Sequence, residues 1–292
     1  MGSTVLVTGG AGYIGSAVVK RLLDQGHAVI VIDNLSKGRK ELVDERAVFY
    51  HLDTTDPKLI EVFKKQPINV VMHFAAYKAV GESMSDPLKY TDNIRGLVNV
   101  LDAMVQYKVR RIVFSSTAAV YGMPKAMPIT EEHPTAPISY YGFTKLVCEQ
   151  TLAWYKDVHG IDFVALRYFN VAGDAGLDYV DPAPANLFPI IAEVIGGTRK
   201  ELTVFGTDYD TPDGSGVRDY VDINDLVDAH IVAIEKGTGI INLGSGSGYS
   251  VKDVIAAFED EAKTKIPVIF GPRRAGDPAA IAASNGKALY IL

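Results

Sequence analysis

The chain has 292 residues, 48% of them hydrophobic and 22% charged, proportions of a globular enzyme with a substantial core, and the length leaves one large α/β domain or two smaller lobes open. Twenty-nine basic against 35 acidic side chains give a net charge of −6 with no basic run, which argues against a nucleic acid or an anionic membrane surface as partner. The single cysteine, Cys148, excludes an intramolecular disulfide, no leader-like segment opens the chain and no apolar stretch reaches membrane-spanning length, so the expected location is the cytoplasm.

The first apolar run, Val5-Leu6-Val7, predicts a strand over Thr4–Thr8, and a helical pattern over Ile14–Gln25 follows it. Between them lie Gly9, Gly12 and Gly15. Glycine at such a turn supplies positive φ, lets the backbone approach phosphates and lets the helix pack tightly on its strand. An anion would then sit on the free N–H groups at the helix N-terminus, which is the signature of a dinucleotide diphosphate site. Gly10-Ala11-Gly12-Tyr13-Ile14-Gly15 also satisfies G-x-G-x-x-G, so spacing alone leaves the Rossmann subclass open. The second strand, Ala28–Ile32, ends in Asp33, eighteen residues past Gly15. A carboxylate there accepts from the adenosine ribose 2′-hydroxyl and repels a 2′-phosphate, favouring NAD over NADP. Lys37 and Arg39 read either as solvated loop charges or as a phosphate clamp.

The alternation continues with strands at Val48–Leu52, Asn69–Phe74, Arg111–Ser115 and Phe163–Arg167 and helices at Pro57–Lys65, Leu88–Tyr107 and Tyr141–His159. Strands that read as apolar runs are buried on both faces. The fold class predicted is therefore α/β, a Rossmann-type doubly wound parallel sheet with a smaller α/β substrate-binding lobe. Chemistry should gather beyond the carboxyl ends of the strands, at Asp33, Asp53, Ala75, Ser116 and Asn170. After Asn170 the texture turns Gly/Asp/Pro-rich. Residues 1–170 are expected to form the NAD-binding domain and residues 171–292 the substrate lobe, interleaved with the first. The apolar end at Leu289–Leu292 suggests that the lobe is incomplete.

Tyr141 and Lys145 stand four residues apart in the last of these helices, which places phenol and ammonium on one face. To act as a base near neutrality, a phenol of pKa about 10 needs about 3 units of stabilisation, roughly 4 kcal/mol. One cation at about 5 Å in an effective dielectric of about 20 contributes on the order of 3 kcal/mol. The positive nicotinamide ring of oxidised NAD would add to it. The strand before this helix ends in Ser115-Ser116-Thr117, and the Thr117 hydroxyl is suited to bond a substrate oxygen and share its proton with Tyr141. Cys148, inside the same helix, reads as core.

With these residues assembled, the chain resembles the extended short-chain dehydrogenase/reductase family, in its UDP-hexose 4-epimerase branch, from the first strand to the last residue. The resemblance rests on Thr8-Gly9-Gly10-Ala11-Gly12-Tyr13-Ile14-Gly15, Ile32-Asp33-Asn34-Leu35, the run from His73 to Ser83, Arg167-Tyr168-Phe169-Asn170, and above all the run from Asp208 to Tyr220. It implies a cofactor site of Gly9, Gly12, Tyr13, Ile14, Gly15, Asp33, Asn34, Asp53, Thr54, Phe74, Ala75, Ala76, Lys78, Asn93, Ser115, Tyr141, Lys145 and Phe169, with Asn93 steadying the cofactor-side loops. For the substrate it implies Thr117, Asn170, Asn186, Leu187, Arg218, Arg274, Asp277 and Ile281, the guanidinium forks suiting a diphosphate. No metal is implied.

The activity so implied is inversion of the 4-hydroxyl of a UDP-hexose by transient NAD-dependent oxidation through a 4-keto sugar, in a homodimer built on two long helices from each subunit. Three readings stay beside it: action also or mainly on the N-acetylated UDP-hexoses, a non-catalytic NAD-binding module, and a 4,6-dehydratase. The last is disfavoured because Ala118 and Ala119 stand where its acid/base pair would be. Departures from the family pattern are Thr117 in place of a common serine, Asp222 in place of a common histidine, and an unusual loop over 176–182.

Overall fold

Val5–Val7, Val29–Ile32, Val70–Met72, Ile112–Phe114 and Val164–Leu166 are all buried, and runs of that kind fit the middle of a sheet covered on both faces. The computed structural model describes residues 2–177, 186–274 and 277–292. Its strands are β1 (Thr4–Thr8), β2 (Ala28–Asp33), β3 (Val48–His51), β4 (Val70–His73), β5 (Arg111–Thr117), β6 (Asp162–Tyr168) and β7 (Asn170–Ala172). They continue with β8 (Leu202–Phe205), β9 (Val217–Arg218), β10 (Tyr220–Asp222), β11 (Gly239–Leu243), β12 (Tyr249–Ser250), β13 (Val268–Gly271) and β14 (Ala280–Ile281).

Seven strands make one parallel sheet in the order β11-β6-β5-β4-β1-β2-β3. The order reverses between β1 and β4, so a crevice opens at their carboxyl ends, the usual place for a ligand in such sheets.

The helices are α1 (Tyr13–Asp24), α2 (Leu59–Lys65), α3 (Val80–Ser85), α4 (Pro87–Tyr90), α5 (Asp92–Gln106), α6 (Tyr140–His159), α7 (Leu187–Ile195), α8 (Ile223–Val232), α9 (Val251–Ala262) and α10 (Gly286–Ile291). α1 and α8 cover one face of the sheet, burying Val18, Leu22, Leu226 and Val227 against Val5, Val7 and Val31. α2, α5 and α6 cover the other, where Leu59, Leu97, Met104 and Leu152 meet Leu6, Ile30 and Ile112. A third core lies between α7, α9 and the β8–β13 pair. Small pairings, β7 with β10 and β9 with β12 and β14, join the parts.

The predicted helix over Leu88–Tyr107 is two helices. Asp86 caps α4 by accepting from the Lys89 amide, with Pro87 at the first turn, and the Thr91 hydroxyl donates back to the Pro87 carbonyl at 2.9 Å, a bond that bends helices. α6 begins where Ser139 accepts from the Gly142 amide and stops at Gly160 in the left-handed conformation, as the capping preferences of those residues dictate. β11 and α8 come from beyond Asn170 yet belong to the large sheet and its covering layer. The segments 178–185 and 275–276, which include much of the unusual loop, lie outside the described residues.

Candidate active site

The glycine turn is a backbone crossing with no room for side chains. Gly9 has φ +74°, and a Cβ there would stand 2.6 Å from the Ala75 amide nitrogen at the end of β4. A Cβ on Gly15 would stand 2.2 Å from the Gly9 carbonyl oxygen. Gly12 opens α1 with no side-chain cap and no acidic residue in the first turn, leaving the amides and positive end of the helix to an anion. The Tyr13 hydroxyl donates to the Gly173 carbonyl, tying the turn to the start of the second lobe. Ile14 packs into the core beneath.

Asp33 is buried and accepts from the Ala11 amide at 3.0 Å and the Leu35 amide at 2.8 Å. A Cβ on Gly38 would meet its Oδ1 at 2.8 Å, and the Arg39 amide donates to the Ala11 carbonyl. The loop carrying Lys37 and Arg39 is thus pressed onto the glycine turn. Asn34 donates to Asp53 at 2.5 Å, and Asp53 accepts from the Thr55 amide and hydroxyl. Burial works against the Asp53 charge, but the bonds from Thr55 and Asn34 outweigh it and hold the carboxyl below its ordinary range. Thr54 packs against α5 at Gly96, where a Cβ would meet its hydroxyl at 2.3 Å.

Phe74 and Ala75 both donate backbone bonds to the Thr8 carbonyl, with Ala76 following. Lys78 is exposed. Its neighbour Tyr77 is gripped by Asn93, which accepts from the Tyr77 amide at 2.8 Å and donates to the Tyr77 carbonyl and to Thr144. Asn93 thereby links this loop to α6.

The carboxyl end of β5 carries the reactive groups. Tyr141 lies beside Thr117, and burial pushes its phenol up to about 12 against the opposing pull of the Thr117 hydroxyl. Lys145 is buried and donates to the Ser115 carbonyl at 2.7 Å, with the Phe114 ring 4.7 Å away. Burial pulls its ammonium down to about 8. The i, i+4 spacing predicts the ammonium against the phenol, yet its bond goes into β5. Burial outweighs pairing for both groups, since desolvation penalises each charged form. The Ser115 hydroxyl bonds the Tyr168 hydroxyl, and Phe169 packs beside Ala118 and Ile281. Cys148 is buried, its thiol pushed up to about 12 by burial.

The second lobe gathers the other polar residues. Arg218 pairs with Asp277 and donates to the Pro278 carbonyl at 3.0 Å. Ile281 stands opposite Arg218 in the β9–β14 pairing and packs against Val120, Tyr121 and Ile129. Arg274 lies 4.0 Å over the Phe205 ring, whereas Arg273 pairs with Asp208. Asn170 donates to the Asp219 carbonyl, and Asn186 precedes Leu187 at the start of α7. Asp222 caps α8 through the Asn224 amide, a role for which a carboxylate suits well.

Two features escape the sequence reading. Asp219 is fully buried and accepts from the Ser245 amide and hydroxyl, the Gly246 amide and the Ala283 amide. Glu149, buried, pairs with Arg167. For Glu149 the available signal was the ladder Tyr141, Lys145, Glu149 at four-residue spacing; for Asp219 no local signal exists.

Residues 5–244 match the NAD dependent epimerase/dehydratase family. The UDP-glucose 4-epimerase of Lacticaseibacillus casei is 46% identical over 299 residues, spanning 99% of this chain and 90% of that protein. The crystal structure of the Brucella ovis UDP-glucose 4-epimerase in complex with NAD superposes with a TM-score of 0.95 at 39% identity, covering 99% of this chain and 91% of that one. That of Bifidobacterium longum, in complex with NAD+ and UDP, gives 0.91 at 42% identity, covering 99% and 92%.

The glycine cradle and the held Asp33 fit a dinucleotide. Gly15→Ala, forcing a Cβ to 2.2 Å from the Gly9 carbonyl oxygen, should cost about 1–3 kcal/mol of fit, or roughly ten- to a hundredfold in NAD affinity. Nucleotide released on denaturing the purified variant should fall accordingly; full occupancy would show that the cradle lies elsewhere.

Proposed function

This chain belongs to the NAD dependent epimerase/dehydratase family, and on that basis we propose that it interconverts UDP-glucose and UDP-galactose by reversible NAD-dependent oxidation at C4 of the sugar, through a 4-keto sugar. The observation that carries the reading is Tyr141 buried beside Thr117 at the carboxyl end of β5, with Lys145 anchored on the Ser115 carbonyl, and with Ala118 and Ala119 next in the chain, which cannot move protons for an elimination. When bound, NAD would supply reversible hydride transfer at C4 of the sugar and a positive ring that favours the phenolate.

The Gly9–Gly15 turn with the Tyr13 and Ile14 amides would hold the diphosphate of the cofactor, and Asp33 with Asn34 would take the adenosine ribose. Asp53, Thr54, Phe74–Ala76, Lys78, Asn93, Ser115 and Phe169 would complete the cofactor site. Tyr141 removes and returns the O4 proton while Thr117 holds the oxygen. Lys145, anchored on the Ser115 carbonyl, keeps a cation behind the phenol. Arg218 and Arg274 take the substrate diphosphate, Asp277 orients Arg218, and Asn170, Asn186 and Leu187 face the nucleotide sugar. Holding the UDP end firmly leaves the hexose free to turn. Residues 1–170, with β11 and α8, make the NAD-binding part and the remainder of 171–292 the substrate lobe.

Phe143, Trp154 and Val158 are 46, 69 and 66% exposed along one side of α6, apolar side chains that a second copy would cover. A two-fold homodimer through α5 and α6 follows. The single buried cysteine fits a reducing compartment, and among the described residues no helix is long and apolar enough to cross a membrane; the enzyme is assigned to the cytoplasm.

Incubation with UDP-galactose and chromatographic resolution of UDP-glucose tests the activity, and no conversion would defeat it. Tyr141→Phe should keep NAD and UDP binding and lose turnover by about a hundredfold or more; near-normal turnover would remove Tyr141 as the base. Trp154→Glu should shift sedimentation from dimer to monomer at micromolar protein, and an unchanged profile would place the interface elsewhere. Ile281→Gly should raise, and Ile281→Tyr lower, the relative kcat/KM for UDP-N-acetylglucosamine by about tenfold; an unmoved ratio would take Ile281 out of the sugar pocket.

A further inference from the structure

Three successive residues of β5 each hold one rung of α6. The Ser115 carbonyl takes the Lys145 ammonium at 2.7 Å, the Ser116 hydroxyl donates to Glu149 Oε1 at 2.5 Å, and Thr117 lies beside Tyr141. Residues 141, 145 and 149 lie one turn apart on a single helical face. The last rung, Glu149, touches none of the reacting groups.

Glu149 is also the most constrained of the three. It and Arg167 are each 4% exposed. Its Oε1 accepts from Arg167 Nε at 2.9 Å and its Oε2 from Arg167 Nη2 at 2.6 Å, a bidentate pair of the strong kind. One carboxylate therefore locks β5, β6 and α6 together directly beneath the reactive end of the strand. A buried ion pair adds little stability over an apolar pair of the same volume, so its placement calls for another account. Beyond Arg167 the contacts continue: its guanidinium lies 4.7 Å over the Tyr121 ring, Tyr121 donates to Asn242 at 2.6 Å, and Asn242 donates to the Ile129 carbonyl at 3.0 Å. Ile129 bridges to Ala283, two residues from Ile281.

We propose that Glu149 is a positioning residue for the epimerisation: held by Ser116 and Arg167, it sets the phase of α6 against β5 and supplies the negative charge that faces the buried Lys145 ammonium. The inference rests on the function proposed above. The groups around Lys145 leave that task to Glu149. On α6, Tyr141 is a neutral phenol and Cys148 a thiol pushed up to about 12 by burial. On β4, His73 is neutral, pulled down to about 3 by burial and by Lys145 itself. β5 offers the Phe114 ring and the Ser115 carbonyl, and β6 offers the cation Arg167. Burial draws Lys145 down to about 8; Cys148 opposes that fall only as a thiolate, which it is not at that pH, so the Glu149 carboxylate is the anion left to oppose it. Removing the Glu149 charge therefore lets Lys145 lose its proton at lower pH.

The test compares wild type, Glu149→Gln, Glu149→Asp and the double variant Glu149→Met with Arg167→Met, each as the full NAD-loaded protein. In Glu149→Gln, KM for UDP-galactose should stay within about twofold, kcat at neutral pH should fall by about tenfold, and the alkaline limb of kcat should move to lower pH by about half a unit or more. Glu149→Asp should restore the limb while kcat stays reduced, since the charge returns and the reach does not. Glu149→Gln strands the Arg167 cation and can fail to fold; the double variant leaves no unpaired charge and should show a limb shift in the same direction. Folded variants with the wild-type kcat and limb would overturn the proposal. Inactive wild type would instead sink the proposed function, and the Lys145 titration, followed by NMR of lysine-labelled protein, would still decide the role of Glu149: an unshifted midpoint in the variants rejects it.

Discussion

Three backbones meet at Gly9, and the carboxyl edge of the sheet is arranged around that meeting. Its amide donates to the Ile32 carbonyl at the end of β2, its carbonyl accepts from the Gly12 amide, and its α-carbon faces the Ala75 amide at the end of β4. With φ at +74° and no room for a Cβ, only glycine satisfies the position. The tightness of this turn aims the N-terminus of α1 at the crevice, brings the Ala11 amide onto Asp33, and presses β1 and β4 together where the strand order reverses. A looser turn would widen the crevice and leave the helix amides without a common focus.

The electrostatics of the reactive end follow from burial more than from pairing. Tyr141, Lys145 and His73 are all displaced toward their neutral forms by loss of water. Such a site resists separating charge on its own. Under the proposed function, proton removal from a sugar hydroxyl would therefore be coupled to the presence of a positively charged cofactor ring, which suits a reaction with no net redox change because base strength would rise in the state that is ready to oxidise. Ser115 and Ser116 supply fixed hydrogen bonds that keep the groups aligned in this dry environment, and Thr117 lies beside Tyr141.

The segments beyond Asn170 are held by a different device. The Asp219 carboxylate collects four donors from residues 245, 246 and 283, and its carbonyl receives both the amide and the side chain of Asn170. A buried charge so fully satisfied fixes the loops around it. The neighbouring Arg218 is thereby presented to Asp277 and set opposite Ile281 across the β9–β14 pairing. Arg218 and Asp277 are 59 residues apart in sequence, and they meet because Asp219 anchors the strand and the C-terminal segment to one point.

The features that the sequence by itself determined are local ones. Glycines at positions 9, 12 and 15, a carboxylate ending β2, apolar runs alternating with amphipathic stretches, and Tyr141 with Lys145 on one helical turn are decided by dihedral freedom, strand period and helix period within a few residues. The parallel sheet and the composition of its carboxyl edge follow from them. What only the tertiary structure decided depends on groups distant in the chain: β11 entering the large sheet beside β6, Lys145 turning to the Ser115 carbonyl, the pairing of Glu149 with Arg167, and the collection of donors at Asp219. A buried polar side chain has no periodic signature. Its partner is whichever group the packed fold brings within hydrogen-bonding distance once water is gone, and burial itself, which sets the charge states of Tyr141 and Lys145, exists only when the layers have closed over them.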